Sequence, residues 1–432
     1  MAEAGQAVRR AALALIDAAL AEGRALSDHD TASGPLGRLA NPGDRARAGR
    51  LAAQTFRHLG RADRMLKPHL RRPPPLPVAN ILRLAVVEML EEGAAAHGVV
   101  NDAVALAQAG RKTAHAAGLI NAVLRKVAEA GPGWAGLGAQ ELPGWLRGRL
   151  MSAYGAKAVA AMERAHAAGA ALDLTPRDGD AEALAGRLGG VALPTGSVRL
   201  TGGAQVSALP GYGEGEWWVQ DAAAALPARI LAPRPGEKVA DLCAAPGGKT
   251  LQMAAAGAAG KAEVWAVDIS EARLARLHEN LARTGLAAHV VAADALDWAP
   301  PGPLDAVLLD APCTATGTIR RHPELPFIRA SADVKPLAEL QTALIDRALG
   351  LLKPGGRLVF CTCSLLPEEG ERQVTAALAR HPGLVADRAA LSVPGVEPGW
   401  ITPEGGLRLR PDLWPDAGGM DGFYIACLRP GG

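Results

Sequence analysis

Two cysteines stand where chemistry is possible. Cys313 closes Asp310-Ala311-Pro312-Cys313, and Cys363 lies in Thr362-Cys363-Ser364, each just past a short run of branched apolar residues. An ionised thiol there is a candidate nucleophile, and a positive neighbour such as Lys249 favours its ionisation. Many cysteines are instead small buried hydrophobes, which is the reading for Cys427 inside the last apolar run. Cys361 shares a strand face with Cys363, since side chains alternate. Cys363 is nearer the end of the run, but periodicity does not choose between the two. Cys361-x-Cys363 has no second ligand pair, so no metal is expected.

A second constellation precedes the cysteines. Cys243, Ala244, Ala245, Pro246, Gly247, Gly248 and Lys249 form a turn of small residues between an apolar run and a helical pattern. Such a turn lets a ligand approach the backbone, and the helix start behind it favours negative charge. The phosphate-binding loop is excluded, because that motif's earlier glycine is missing. Asp268 ends the next run, at a spacing suited to accepting both hydroxyls of a ribose. Asp294 follows the third run, where a carboxylate can accept from an adenine amino group, and Asp310 ends the fourth. One such acid is commonly a helix cap. Acids at three successive strand ends after a glycine turn point to a nucleoside-bearing cofactor.

Together the groups suit one reaction. Carbon 5 of cytosine is a poor nucleophile until a thiolate adds to carbon 6. Asp310 is placed to hydrogen-bond or protonate ring nitrogen 3 as this happens. The target base must leave its stack, so a single-stranded or splayed loop is the expected substrate.

These residues need a scaffold. From Lys238 onward, strand-like runs at Val239–Cys243, Glu263–Asp268, His289–Ala292, Asp305–Asp310, Arg357–Thr362 and Phe423–Leu428 alternate with helical patterns. That alternation predicts a parallel sheet with helices on both faces and ligands at the carboxyl ends of its strands. Residues 216–432 are therefore expected to form an α/β domain. Residues 1–130 read as all-helical, with patterns at Ala11–Ala21, Arg45–Leu59, Val78–Glu91, Val100–Ala109 and Gly118–Glu129. Between them, 131–215 reads as a glycine-rich linker and a small α+β segment. It has helices near Trp145–Tyr154 and Ala156–Ala168 and strand pieces at Leu172–Leu174 and Val198–Leu200.

Composition agrees with a multidomain globular chain: 432 residues, 49% hydrophobic and 21% charged. No run of apolar residues is long enough for a membrane span, and Asp17 interrupts the run after Arg9 and Arg10 that loosely mimics a secretory signal. Five cysteines without regular spacing suggest free thiols in a reducing cytoplasm. Residues 1–130 hold 18 Lys and Arg against 12 Asp and Glu, so the net charge of +2 divides into +6 in front and −4 behind. A basic front end suits a polyanion or is simply a solvated helical surface.

The blocks DLCAAPGGKT at 241–250, VDIS at 267–270, AAD at 292–294, DAPCTATGTIRRHPE at 310–324 and KPGGRLVFCTCSLLPEE at 353–369 resemble the Sun/NOL1/NOP2 family of RNA (cytosine-5)-methyltransferases. WVQDAAAALPARIL at 218–231 is similar to that family's lead-in. The resemblance implies a Rossmann-like class I methyltransferase fold using S-adenosyl-L-methionine, contacted or bordered by Cys243 through Lys249, Asp268, Asp294 and Asp310. It implies that Cys363 is the nucleophile and that Cys313 helps release the product. HGVVNDAVALAQ at 97–108 and GLINAVLRKV at 118–127 resemble the NusB-type helical RNA-binding fold. The combination implies 16S ribosomal RNA as the substrate of a monomeric protein, with no DNA or membrane partner.

Three positions depart from the family: Thr314-Ala315 in place of Ser-Gly, Gly370 in place of Asn, and LDLTPRD at 172–178 without an Arg-Val-Asn. Other readings stay open: transfer RNA or another RNA as substrate, a non-catalytic assembly factor, or a DNA methyltransferase using Cys313. Arg320, Arg321 and His322 are expected either to hold flanking phosphates or to face solvent.

Overall fold

The computed structural model describes residues 2–29, 34–202, 205–258 and 262–431. It divides into two compact units, one holding the chain to Gly169 with Ile319–Ala330, the other Ala170–Thr318 with Ser331 onward. The three-segment expectation, with boundaries after 130 and 215, divides the chain differently. The glycine-rich stretch after 130 begins as a helical turn, Gly131–Trp134, whose Trp134 is buried in the helical core. The α+β piece after 170 groups with the sheet that follows it.

The helical unit contains α1 (Ala2–Glu22), α2 (Pro42–Arg57), α3 (Leu59–Leu66), α4 (Leu76–Leu90), α5 (Ala96–Ala109), α6 (Ala117–Glu129) and α7 (Gly144–Ala168). Asn41 caps α2 by accepting from the Gly43 amide at 2.8 Å, with Pro42 at the first helical position. The expected helix Arg45–Leu59 ends at His58, whose non-helical backbone separates α2 from α3. The two helices expected near Trp145–Tyr154 and Ala156–Ala168 are the two parts of α7, separated at Gly155, where φ is 78° and the backbone is not helical. Val78, Ile81, Leu82, Ala85, Val86 and Met89 of α4 are buried beside Val99, Val100, Ile120, Val123 and Leu124.

Ile319–Ala330 completes this unit. Phe327 lies 6.0 Å from Phe56, Trp145 Nε1 donates to the Pro326 carbonyl at 3.0 Å, and Glu324 Oε1 accepts from the Leu26 amide at 3.2 Å. Arg320, expected on an exposed loop, is 1% exposed. Its Nε donates to the Gly169 carbonyl, and its own carbonyl accepts from Arg57. An embedded guanidinium of this kind holds protein, and it is not available to phosphates.

The second unit opens with β1 (Leu172–Pro176), β2 (Val191–Ala192), β3 (Val198–Leu200) and β4 (Trp217–Val219), an antiparallel sheet in the order β2-β3-β1-β4. The departing segment 172–178 has a structural role here. Asp173 receives both Nε and Nη2 of Arg199 at 2.7 and 2.6 Å, and both side chains are buried. The main sheet contains β5 (Lys238–Leu242), β6 (Glu263–Asp268), β7 (His289–Ala292), β8 (Leu304–Asp310), β9 (Leu352–Thr362), β10 (Leu384–Ala386), β11 (Leu407–Leu409) and β12 (Phe423–Pro430). Its order is β10-β12-β9-β8-β5-β6-β7, with β11 also on β12. Strands β5 to β9 are mutually parallel, whereas β12 runs antiparallel to β9, β10 and β11. The wholly parallel expectation fails there, because an unbroken apolar run such as Phe423–Leu428 carries no mark of direction.

Candidate active site

The sites predicted on separate strands meet at one edge of the main sheet. After β5 the chain turns through Cys243, at φ 64°, and Gly247, at φ 108°, into the helix Gly248–Ala258. Gly247 is required: a Cβ there would lie 2.4 Å from Leu277 Cδ1. Asp268 at the end of β6 braces the turn. Its Oδ2 accepts from the Ala245 amide at 3.0 Å and its Oδ1 from the Ser270 amide at 2.9 Å. Arg273, which the sequence did not single out, reaches both Asp268 and the Ala245 carbonyl. Asp294 follows β7 and accepts from the Leu296 amide at 2.9 Å.

Asp241 was also missed. It is fully buried; Thr250 Oγ1 donates to its Oδ2 at 2.6 Å, while Oδ1 meets no donor among the described residues. Burial outweighs Thr250 and Lys249, and with Asp310 and Asp268 nearby it pushes the carboxyl up to about 7. A turn of small residues, an orphaned carboxylate oxygen and acids at successive strand ends fit a cofactor that carries a ribose and a cationic group.

Asp310, ending β8, is fixed from two sides. Lys249 Nζ donates to Oδ2 at 2.7 Å, and the Cys361 thiol donates to Oδ1 at 3.5 Å. Burial opposes the Lys249 charge, but Asp310, Cys361 and Asp241 outweigh it and hold the ammonium above its ordinary value. Lys249 thus serves Asp310. Cys361 is wholly buried in β9, and that burial, then Asp310, raises its thiol far above the usual range.

Cys313 and Cys363 lie on the loops after β8 and β9, with their sulfurs 3.5 Å apart. The neighbouring thiol and then burial hold Cys313 well above its ordinary value, so Cys313 stays protonated beside Cys363. The loops touch through backbone: the Gly317 amide donates to the Cys363 carbonyl at 2.9 Å, and the Gly422 amide to the Gly317 carbonyl at 2.8 Å. A Cβ on Gly317 would lie 1.9 Å from the Gly422 oxygen, so no other residue fits.

Residues 228–429 match the model of the family described as 16S rRNA methyltransferase RsmB/F, and residues 6–129 match that of the NusB family. Over residues 228–429 the chain is similar to the RsmB/F methyltransferases. The ribosomal RNA small subunit methyltransferase B of Klebsiella pneumoniae is 46% identical over 213 residues, covering 47% of this chain and 49% of that protein. The chain thus spans about half the length of the curated relatives it matches. The solved structure of PH0851 is 25% identical with a TM-score of 0.76, and the match covers 98% of both chains. A methyltransferase homolog protein from Pyrococcus horikoshii is 28% identical with a TM-score of 0.56, over 66% of this chain and 94% of that one. All the candidate residues from Cys243 to Cys363 lie inside the RsmB/F match.

Two departures now have physical accounts. Ala315, where the family has glycine, sits at φ 56°, a region glycine occupies without strain. At Gly370 a Cβ would lie 2.5 Å from Arg408 Nη2 and 2.7 Å from Tyr424 Cγ, so asparagine has no room.

Proposed function

We propose that this protein methylates carbon 5 of a cytosine in 16S ribosomal RNA, using S-adenosyl-L-methionine and a covalent bond from Cys363 to carbon 6. The observation that carries the reading is the meeting of two thiols, 3.5 Å apart, with the Lys249–Asp310 pair at the edge that holds the small-residue turn. When bound, the cofactor supplies an electrophilic methyl group.

The protein's own groups do the rest. Cys243, Ala244, Ala245, Pro246, Gly247, Gly248 and Lys249 border the cofactor, with Asp268 toward the ribose and Asp294 toward the adenine. Asp310, held in one rotamer by Lys249 and Cys361, faces ring nitrogen 3. Cys363 adds to carbon 6; after carbon 5 loses its proton to a base, the carbon–sulfur bond breaks and the thiolate leaves. Cys313 stays protonated next to Cys363, as a group assisting that release would. RNA phosphates suit the exposed Lys67, Arg71 and Arg72, which line a groove of about 550 Å³ on the helical unit.

The test is methyl transfer from labelled S-adenosyl-L-methionine to unmodified small-subunit ribosomal RNA. Label on carbon 5 that is lost in Cys363→Ala, with a protein–RNA adduct trapped in Cys313→Ala, is the expected result. Transfer to other RNA alone would change the substrate. No transfer to any RNA would leave a non-catalytic RNA-binding factor.

A further inference from the structure

The side chain that ties the two cysteine loops together is Glu369, a residue the chemistry itself does not use. It is fully buried, and no cation approaches it within ion-pair distance among the described residues. Its carboxylate is instead surrounded by donors. Oε1 accepts from the Thr314 amide at 2.9 Å and from Gln341 Nε2 at 3.3 Å; Oε2 accepts from Thr314 Oγ1 at 2.5 Å and Ser364 Oγ at 2.6 Å. Thr314 follows Cys313 directly, and Ser364 follows Cys363.

The surrounding bonds give the network a direction. The Leu366 amide donates to Ser364 Oγ at 3.0 Å and the Leu365 amide to Thr316 Oγ1 at 3.0 Å. Both hydroxyls therefore accept from backbone and pass their own protons onward, Ser364 to Glu369 and Thr316 to Ser364 at 3.2 Å. Gln341 also donates to the Pro312 carbonyl at 2.8 Å, and Thr362 Oγ1 to the Glu369 carbonyl at 2.8 Å. One pure acceptor thus receives a donor from each loop, and removing it leaves several buried donors unmet at once.

We infer that Glu369 is a positioning residue that sets the Cys313–Cys363 distance by holding the Thr314 and Ser364 ends of the two loops. The inference rests on the reading above for its effect on methyl transfer, but the geometry is measurable without RNA or cofactor. Diamide is a suitable probe: two neighbouring thiols join as a disulfide, and their two protons and two electrons pass to the diamide, which becomes its hydrazine form.

In the full-length protein, the Cys313–Cys363 disulfide, located by peptide mapping, should form about tenfold more slowly in Glu369→Ala than in wild type. Glu369→Gln should fall between, since its amide matches only some of the donors. Thr314→Val should be slowed, and Thr314→Ser, which keeps the hydroxyl, should restore the rate. Where RNA is methylated, kcat should fall in the same order with the KM for cofactor unchanged. A Glu369→Ala protein that is less stable yet cross-links at the wild-type rate would overturn the inference. If that variant does not fold, equal rates in Thr314→Val and Thr314→Ser would do so. Cross-linking that responds in a protein methylating no RNA leaves the positioning role intact and sinks the proposed function.

Discussion

Lys249 and Asp310 form an ion pair of 2.7 Å in which the lysine side chain is 10% exposed and the aspartate 29%. Attraction between them persists because little water reaches the ammonium. Lys249→Met leaves the Asp310 carboxylate with only a weak thiol donor, and should cost about 1–3 kcal/mol in urea unfolding. Asp310→Asn should cost more, since it strands a buried cation. Equal stability of wild type and both variants would show that the pair makes no net contribution.

Backbone strain gives a prediction of opposite sign. Ala315 occupies φ 56°, next to the Thr314 that Glu369 holds. Ala315→Gly removes a left-handed alanine at some cost in chain entropy, for a net gain of about 0.5–1 kcal/mol. Calorimetry reads this as a higher Tm. A lower one would mean that the loop does not keep this conformation in solution.

The Asp173–Arg199 pair is the most deeply buried ion pair named above, at 1% and 4% exposure. Arg199 also donates to the Ala417 and Gly419 carbonyls. Arg199→Met abandons a buried carboxylate and two carbonyls, and should destabilise by about 3–5 kcal/mol. The double variant Asp173→Leu with Arg199→Met should recover part of that loss in denaturant titration.

Acid should weaken the helical unit. Burial, against the pull of Glu91, lowers His58 to about 4, and burial with Arg320 and Arg57 lowers His166 to about 3. Both histidines bind protons more readily when unfolded. Stability from them is therefore complete above pH 6.5 and falls as pH drops toward 4, each at up to about 1.4 kcal/mol per pH unit. Asp241 runs the other way. Its raised carboxyl contributes most below its unfolded value, and that contribution is lost as pH rises toward 7. A titration of Tm on His58→Gln should show a shallower acid limb; an unchanged limb would remove His58 from this account.

Much of the main sheet was legible because strand ends carry punctuation: Asp268 and Asp310 each close an apolar run, and Asp294 follows another. The cysteines followed from the same rule. Direction along β12 was not legible, because a run buried on both faces reads alike either way. Nor was the fate of Arg320. Arginine in a polar stretch reads as surface, and only the packing of Ile319–Ala330 reveals its burial. Glu369 ends the 353–369 stretch of the sequence, yet four donors from three segments converge on it only in the fold.

Ile319–Ala330 has a consequence for biosynthesis. The core beside Phe56 is finished by Phe327 and Ile328, made long after α7. As the chain leaves the ribosome, the helical unit must wait with an apolar face open while half of the main-sheet strands, β5 to β8, emerge. A fragment ending at Gly169 would keep that face open for good, so the sequence that looks like a free-standing N-terminal module matures only when a later stretch of the chain arrives to close it.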